Sequence, residues 1–479
     1  MHKLFFLICM LFAGTAFSQN TIQFKVSKPY CVYNFMETAI GSGGTSSTLR
    51  DFMWQKTDKD AAFQELCERY SRIRLHYDFT RDEYPANRRQ TRSTIDLITI
   101  ALVQASDLKE FGERIMGILP NNSQQELLDV LKRAEVLYNE VIWKEYEQKV
   151  LDQANALRVY SERASALFLA FRKFYNSSWS TEMPFIVTLY PIPGRSGSTS
   201  ATPHANSLCV GVLTDEKDHV GRMGVVLHEI CHVLYDEQPA EFQHQLDSYF
   251  EANASPFSKY TRYFFDEGLA TVLGNGFAGK SMSGILDSTD WYNNPYINGF
   301  AKAIYPLVER YLEAGKGIDS VFVNEAIVVF EKTFPRSAAD YGILMNNVSI
   351  YSDSETQQER DAVRKAISGS FQVTGSMLSS PITDPVSLEL MSTGKNTQVI
   401  IVEKNHKANM RELTKVFPQI KGMVNKKTDE SYMLSFYDAA KRPVIIINVK
   451  KPEELKYFIG KMKEMQYLDV QKPYTAMVK

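Results

Sequence analysis

His228-Glu229-Ile230-Cys231-His232 sets two imidazoles four residues apart, with a carboxylate directly after the first. On a helix, residues at that spacing lie one above the other on a single face. His228 and His232 can therefore offer two nitrogens to one metal ion. Glu229 sits about 100° around the helix from His228. It can border such an ion without binding it, which is where a general base for a metal-activated water belongs. A buried amphipathic helix accounts for the apolar neighbours Val225-Val226-Leu227 and Val233-Leu234. It does not account for His and Glu, which are rarely buried without partners. A catalytic zinc site takes three protein ligands and leaves its fourth position to water. Farther along, the run YFFDEGLATVL from Tyr263 to Leu273 supplies Glu267, with Gly268 and Ala270 beside it. An isolated glutamate is usually a surface group. Beside small residues, where a second helix can pack close to the first, Glu267 is the candidate third ligand.

The elements around these residues follow from local pattern. PFIVTLYPIP, from Pro184, is β-branched and aromatic between prolines and reads as a strand; NSLCVGVL, from Asn206, reads as a second. The stretch between them, Gly194 to Ala205, is small and polar and reads as a loop. The helix carrying His228 is expected to begin near Gly221-Arg222-Met223. Upstream, Thr21 to Tyr33 alternates and predicts a strand. Leu49 to about Tyr175 then carries helical periodicity, clearest after Ser123, a candidate N-cap following Pro120. Helical patterns resume from Tyr260 to about Ser368. From about Asn396 the texture changes to strand, helix, hairpin, helix, which predicts a two-layer βαββαβ module ending near Tyr474. The fold class expected is α+β, with a signal peptide at 1–18, a strand and helical region at 19–180, a core at 181–370 and a small α/β module at 396–479.

Composition bounds the partners. The 479 residues are 44% hydrophobic and 23% charged, with a formal net charge of −2. That is ordinary globular composition with no basic surface for nucleic acid. The opening MHKLFFLICMLFAGTAFSQN has the order of a secretory signal peptide, with cleavage expected after Ser18. No apolar run in the mature chain is long enough to span a bilayer. The expected location is periplasmic or secreted. Cys31, Cys67, Cys209 and Cys231 remain, and an oxidising compartment permits disulfides whose pairing sequence does not reveal.

HEICH followed by DEGLA resembles the gluzincin group of zinc metallopeptidases over about Pro184 to Leu312. The resemblance implies a zincin-like core of small sheet and helices. It implies one zinc ion per chain held by His228, His232 and Glu267, with Glu229 activating the water that attacks a peptide bond. The group also uses a downstream Tyr or His to stabilise the oxyanion. Among Tyr292, Tyr296 and Tyr305, Tyr296 is the choice here and Tyr305 the second. The strand before the active helix commonly binds substrate backbone at its edge, and the matching segment is Asn206 to Val212. This chain departs from thermolysin-like enzymes in one place. Four residues past the third ligand they carry an aspartate that orients a histidine, and here stands Thr271. Asp236, one turn beyond His232, is a candidate substitute. The expected function is hydrolysis of a peptide or protein substrate by an exported zinc enzyme. The competing class is an exported binding protein that holds zinc without catalysis. Neither the substrate nor the oligomeric state is legible in the sequence.

Overall fold

The computed structural model describes residues 21–58, 60–85, 88, 90–423 and 430–477. The expected signal peptide lies outside the described residues. The chain is a mixed α+β protein that divides into two units. The first comprises Met1–Ala252, Asp266–Asn293 and Ile297–Glu325; the second comprises Asn253–Phe265, Asn294–Tyr296 and Ala326–Lys479.

The first unit opens with β1 (Ile22–Lys25). The strand expected to reach Tyr33 stops there because Ser27 caps a helix, Lys28–Ile40, with Pro29 in its first turn. The Ser27 hydroxyl accepts the N–H of Tyr30, satisfying a donor that the helix start leaves open. The expected helical region follows, interrupted by a short hairpin of β2 (Asp78–Thr80) and β3 (Thr91–Ser93). Its clearest helix, Asn121–Tyr138, starts directly after Pro120, two residues before the expected cap. Met36, Leu66, Leu102, Leu127 and Leu131 build the core between these helices.

Next come β4 (Phe185–Ile192), β5 (Ala201–His204) and β6 (Ser207–Leu213). The sheet order is β1-β4-β6-β5, with β1, β4 and β6 parallel and β5 antiparallel. This corrects the expectation for Asn206 to Val212. β6 is an interior strand paired on both sides, and β5 is the edge. The chain reverses between them through Ala205, which has φ 49°, so part of the predicted loop pairs with β6. Pro203 was the overlooked signal, because proline in a sheet is confined to edges and bulges.

The HEICH helix is His219–Asp236. It begins two residues earlier than expected, where the Asp218 carboxylate accepts the N–H of Gly221. Met223, Val226, Leu227, Ile230, Cys231 and Leu234 are buried, and Glu229 is half-buried. The DEGLA helix, Ser258–Thr271, runs on into a π-helical stretch, Val272–Ala278, which packs along the HEICH helix.

The second unit contains a six-stranded sheet of β7 (Asn347–Ser352), β8 (Gly375–Ser379), β9 (Thr397–Val402), β10 (Tyr432–Tyr437), β11 (Pro443–Asn448) and β12 (Tyr474–Ala476). The order is β12-β10-β11-β9-β7-β8. From β9 onward the elements run βαββαβ as expected. The two-layer expectation is corrected, because every residue of β9 and β11 is buried. A sheet buried on both faces needs helices on both. Helices Pro385–Thr393 and His406–Val416 line one face through Met391 and Leu413. Helix Glu454–Met465 contributes Leu455, Phe458 and Ile459 to the buried set and packs with Gln357–Ser368. All four described cysteines are free thiols. Among the described residues no helix is long and apolar enough to cross a membrane.

Candidate metal centre

The first unit brings His228, His232 and Glu267 together, as a group that can hold a metal ion. Their donor atoms lie within 4.8 Å of one another. His228 Nε2 and His232 Nε2 are 3.1 Å apart. Glu267 Oε2 lies 3.5 Å from His228 Nε2, and Glu267 Oε1 lies 3.5 Å from His232 Nε2. Nitrogen and oxygen donors about 2.1 Å from a tetrahedral ion are roughly 3.4 Å from each other. The three spacings bracket that value. Two ring nitrogens aimed at each other beside a carboxylate, with Glu267 Oε2 buried and without a hydrogen-bond partner among the described residues, is a donor set that a shared cation satisfies.

His232 turns its other nitrogen to Asp266, whose Oδ1 lies 3.2 Å from Nδ1. That contact orients the ring and leaves Nε2 for the group. Asp266, next to the third donor, therefore has the role for which Asp236 was the sequence candidate. Asp236 lies 3.7 Å from Arg92 instead. His228 is 7% exposed, and its Nδ1 has no partner among the described residues. The hydroxyl of Thr271, one helical turn beyond Glu267, is buried and equally without a partner.

Electrostatics set the resting charges. Burial pulls the His232 imidazole down, but Asp266, Glu267 and Glu229 together raise it to about 10. Burial pushes the Glu267 carboxyl up, and the two imidazoles with Tyr292 outweigh it, holding it at about 2. Tyr292 stacks on His228, with ring centroids 5.9 Å apart and planes at 20°. Burial first, and then Glu267 and Glu229, push its phenol well above the ordinary range, so it stays a hydrogen-bond donor.

Of the three tyrosines considered, Tyr292 is the one against His228, whereas Tyr296, the choice from sequence, and Tyr305 bond elsewhere. Tyr296 belongs to the second unit, where its hydroxyl donates to Asp340. Tyr305 donates to Glu309 at 2.8 Å. His204 pairs with Asp96 and His219 with Gln153, so neither joins the group.

Close helix contact positions the donors. A Cβ on Gly274 would come within 2.6 Å of the His228 backbone nitrogen and 2.7 Å of the Gly224 carbonyl. Backbone cannot yield as a side-chain tip can. Gly274→Ala is expected to cost about 1–3 kcal/mol through overpacking and to weaken metal binding as the two helices separate. Denaturant unfolding and metal titration of the same preparation measure both effects.

No protein-family model, curated protein or solved structure matches the chain.

Proposed function

We propose that the protein is an exported zinc-dependent peptidase. The observation that carries this reading is the trio His228, His232 and Glu267 at tetrahedral donor spacing, with Glu229 beside it and outside it. A purely structural zinc takes four protein donors, and this group supplies three among the described residues. When bound, zinc polarises a carbonyl and lowers the pKa of a water to about 7.

The chain's own residues supply the rest. Glu229 takes a proton from the attacking water and returns it to the departing amine nitrogen. The Tyr292 hydroxyl donates to the carbonyl oxygen as that oxygen gains negative charge. Removing one such donor costs about 10²-fold or more in kcat. Tyr292→Phe is therefore expected to keep metal content and lose about 10²-fold in turnover; unchanged kcat would leave the tyrosine as a packing residue.

Substrate backbone has a place on β5, which packs against the HEICH helix. The N–H of Gly211 donates to the carbonyl of Ser200, and Ala201 stands opposite Val210. Alternation along an antiparallel ladder then turns the N–H and C=O of Ala201, and the C=O of Pro203, away from β6 toward the free edge. An extended peptide can add there as a further strand. Ala201→Pro removes one edge donor without touching the β6 ladder. The expected result is a KM raised roughly tenfold, the worth of about one hydrogen bond, with metal content unchanged. An unchanged KM would remove β5 from substrate binding.

The test of the whole reading is cleavage of a peptide library or denatured casein by zinc-loaded protein. Activity should be lost to a chelator and restored by zinc. A zinc-loaded chain that cleaves nothing belongs to the non-catalytic class.

A further inference from the structure

Tyr296 has a setting of its own in the second unit, unrelated to the metal group. It stands in the first turn of helix Pro295–Glu313, and its hydroxyl donates to Asp340 Oδ1 at 2.6 Å. The same oxygen accepts the N–H of Gly342 at 2.9 Å. A Cβ on Gly342 would stand 2.4 Å from the Tyr296 hydroxyl oxygen, so a larger residue there would displace the Tyr296 ring. Asp340 is 6% exposed. Its second oxygen, Oδ2, makes no hydrogen bond among the described residues, and the carboxylate forms no ion pair among them. That oxygen keeps contact with solvent, so it is open to a hydrogen-bond donor or a cation.

Asp340 borders a cavity of about 350 Å³, at the small end of the usual range for small-molecule sites. Tyr296, Phe371 and Met462 line it with aromatic and thioether surface, and Gln372 and Gln466 add amides. Lys463 is the one cationic side chain in the lining, and it is exposed. An unpaired carboxylate oxygen in a half-open cavity walled by aromatic rings and soft apolar surface is suited to an organic cation. The carboxylate takes its N–H donors, and the rings attract its charge. A metal ion would need several oxygen donors, and this cavity offers one carboxylate.

We propose that this cavity binds a small organic cation, a primary ammonium or guanidinium group on a short apolar stem, with Asp340 Oδ2 as its acceptor. The site is independent of the metal centre and of the peptidase reading. The experiment is calorimetric titration of the full chain with n-butylammonium and n-butylguanidinium, with butyramide and butyrate as neutral and anionic controls. One saturable site per chain is expected for the cations, with both controls at least tenfold weaker. Asp340→Asn should weaken cation binding tenfold or more at an unchanged melting temperature. Asp340 also holds Tyr296 and Gly342, so a second variant guards against misfolding. Lys463→Glu, on the exposed rim, adds negative charge and should tighten cation binding several-fold. Zinc-loaded and chelator-treated protein should bind equally. The proposal is overturned by any of four results: no saturable cation binding, controls that bind as well as the cations, a Lys463→Glu variant that binds cations more weakly, or binding that disappears with the metal.

Discussion

Glu229→Gln should retain about one zinc ion per chain, fold normally and lose hydrolysis by roughly 10²–10⁴-fold, the usual worth of a positioned general base. Three features single out this residue. It follows His228 directly, so it lies about 100° around the helix from the donor face. It is not one of the three donors. Its charge nevertheless reaches both His232 and Tyr292, so it stands at the site rather than on a remote face. Glutamine keeps the shape and the half-buried environment but cannot take a proton. Metal content by emission spectroscopy and initial rates on a peptide library, measured on one preparation, give the answer. Equal rates for variant and wild type would remove Glu229 from the mechanism. A variant that loses zinc together with activity would make Glu229 a ligand.

The second large effect concerns the donors. His228→Ala, His232→Ala and Glu267→Ala should each weaken zinc binding beyond the roughly 10–100-fold that loss of an outer-shell partner brings. Asp266→Ala should fall within that outer-shell range, because it orients His232 without joining the group. The metal-free charges set the pH dependence. His232 holds a proton up to about pH 10, and a metal ion must displace it. Zinc affinity is therefore expected to rise with pH through neutrality, by roughly tenfold per unit while that proton is the only one released. Chelation should lower the melting temperature, since an ion bound only by the folded state stabilises it. Stoichiometric zinc in the His228→Ala, Glu267→Ala double variant, or an affinity indifferent to pH, would overturn the assignment of these residues.

Much of the fold is legible in the sequence, because helix and strand patterns are local. His228 and His232 share a face at helical spacing, and that needs no information beyond a few residues either side. β4 and β6 are runs of β-branched and aromatic residues between turn formers, and both form where expected. The βαββαβ order after Asn396 is likewise a succession of local periods. β7 was missed within a stretch read as helical, and only its place beside β9 in the sheet identifies it.

The sequence by itself determined that two imidazoles and a carboxylate sit on one helix, and that a second carboxylate follows in a stretch of small residues. Tertiary structure alone decided which neighbours serve them. Asp236 and Asp266 are equivalent on paper; Arg92 stands beside the first, and His232 faces the second. Tyr292 and Tyr296 are four residues apart, yet one stacks on His228 and the other bonds Asp340 in the second unit. The sheet edge passed from β6 to β5 because a two-residue turn at Ala205 folds the chain back on itself. The physical reason is common to all three. Periodicity constrains which side chains share a face within one element, whereas orientation, pairing and charge at a site depend on distances between elements far apart in the chain, and those distances are set by packing.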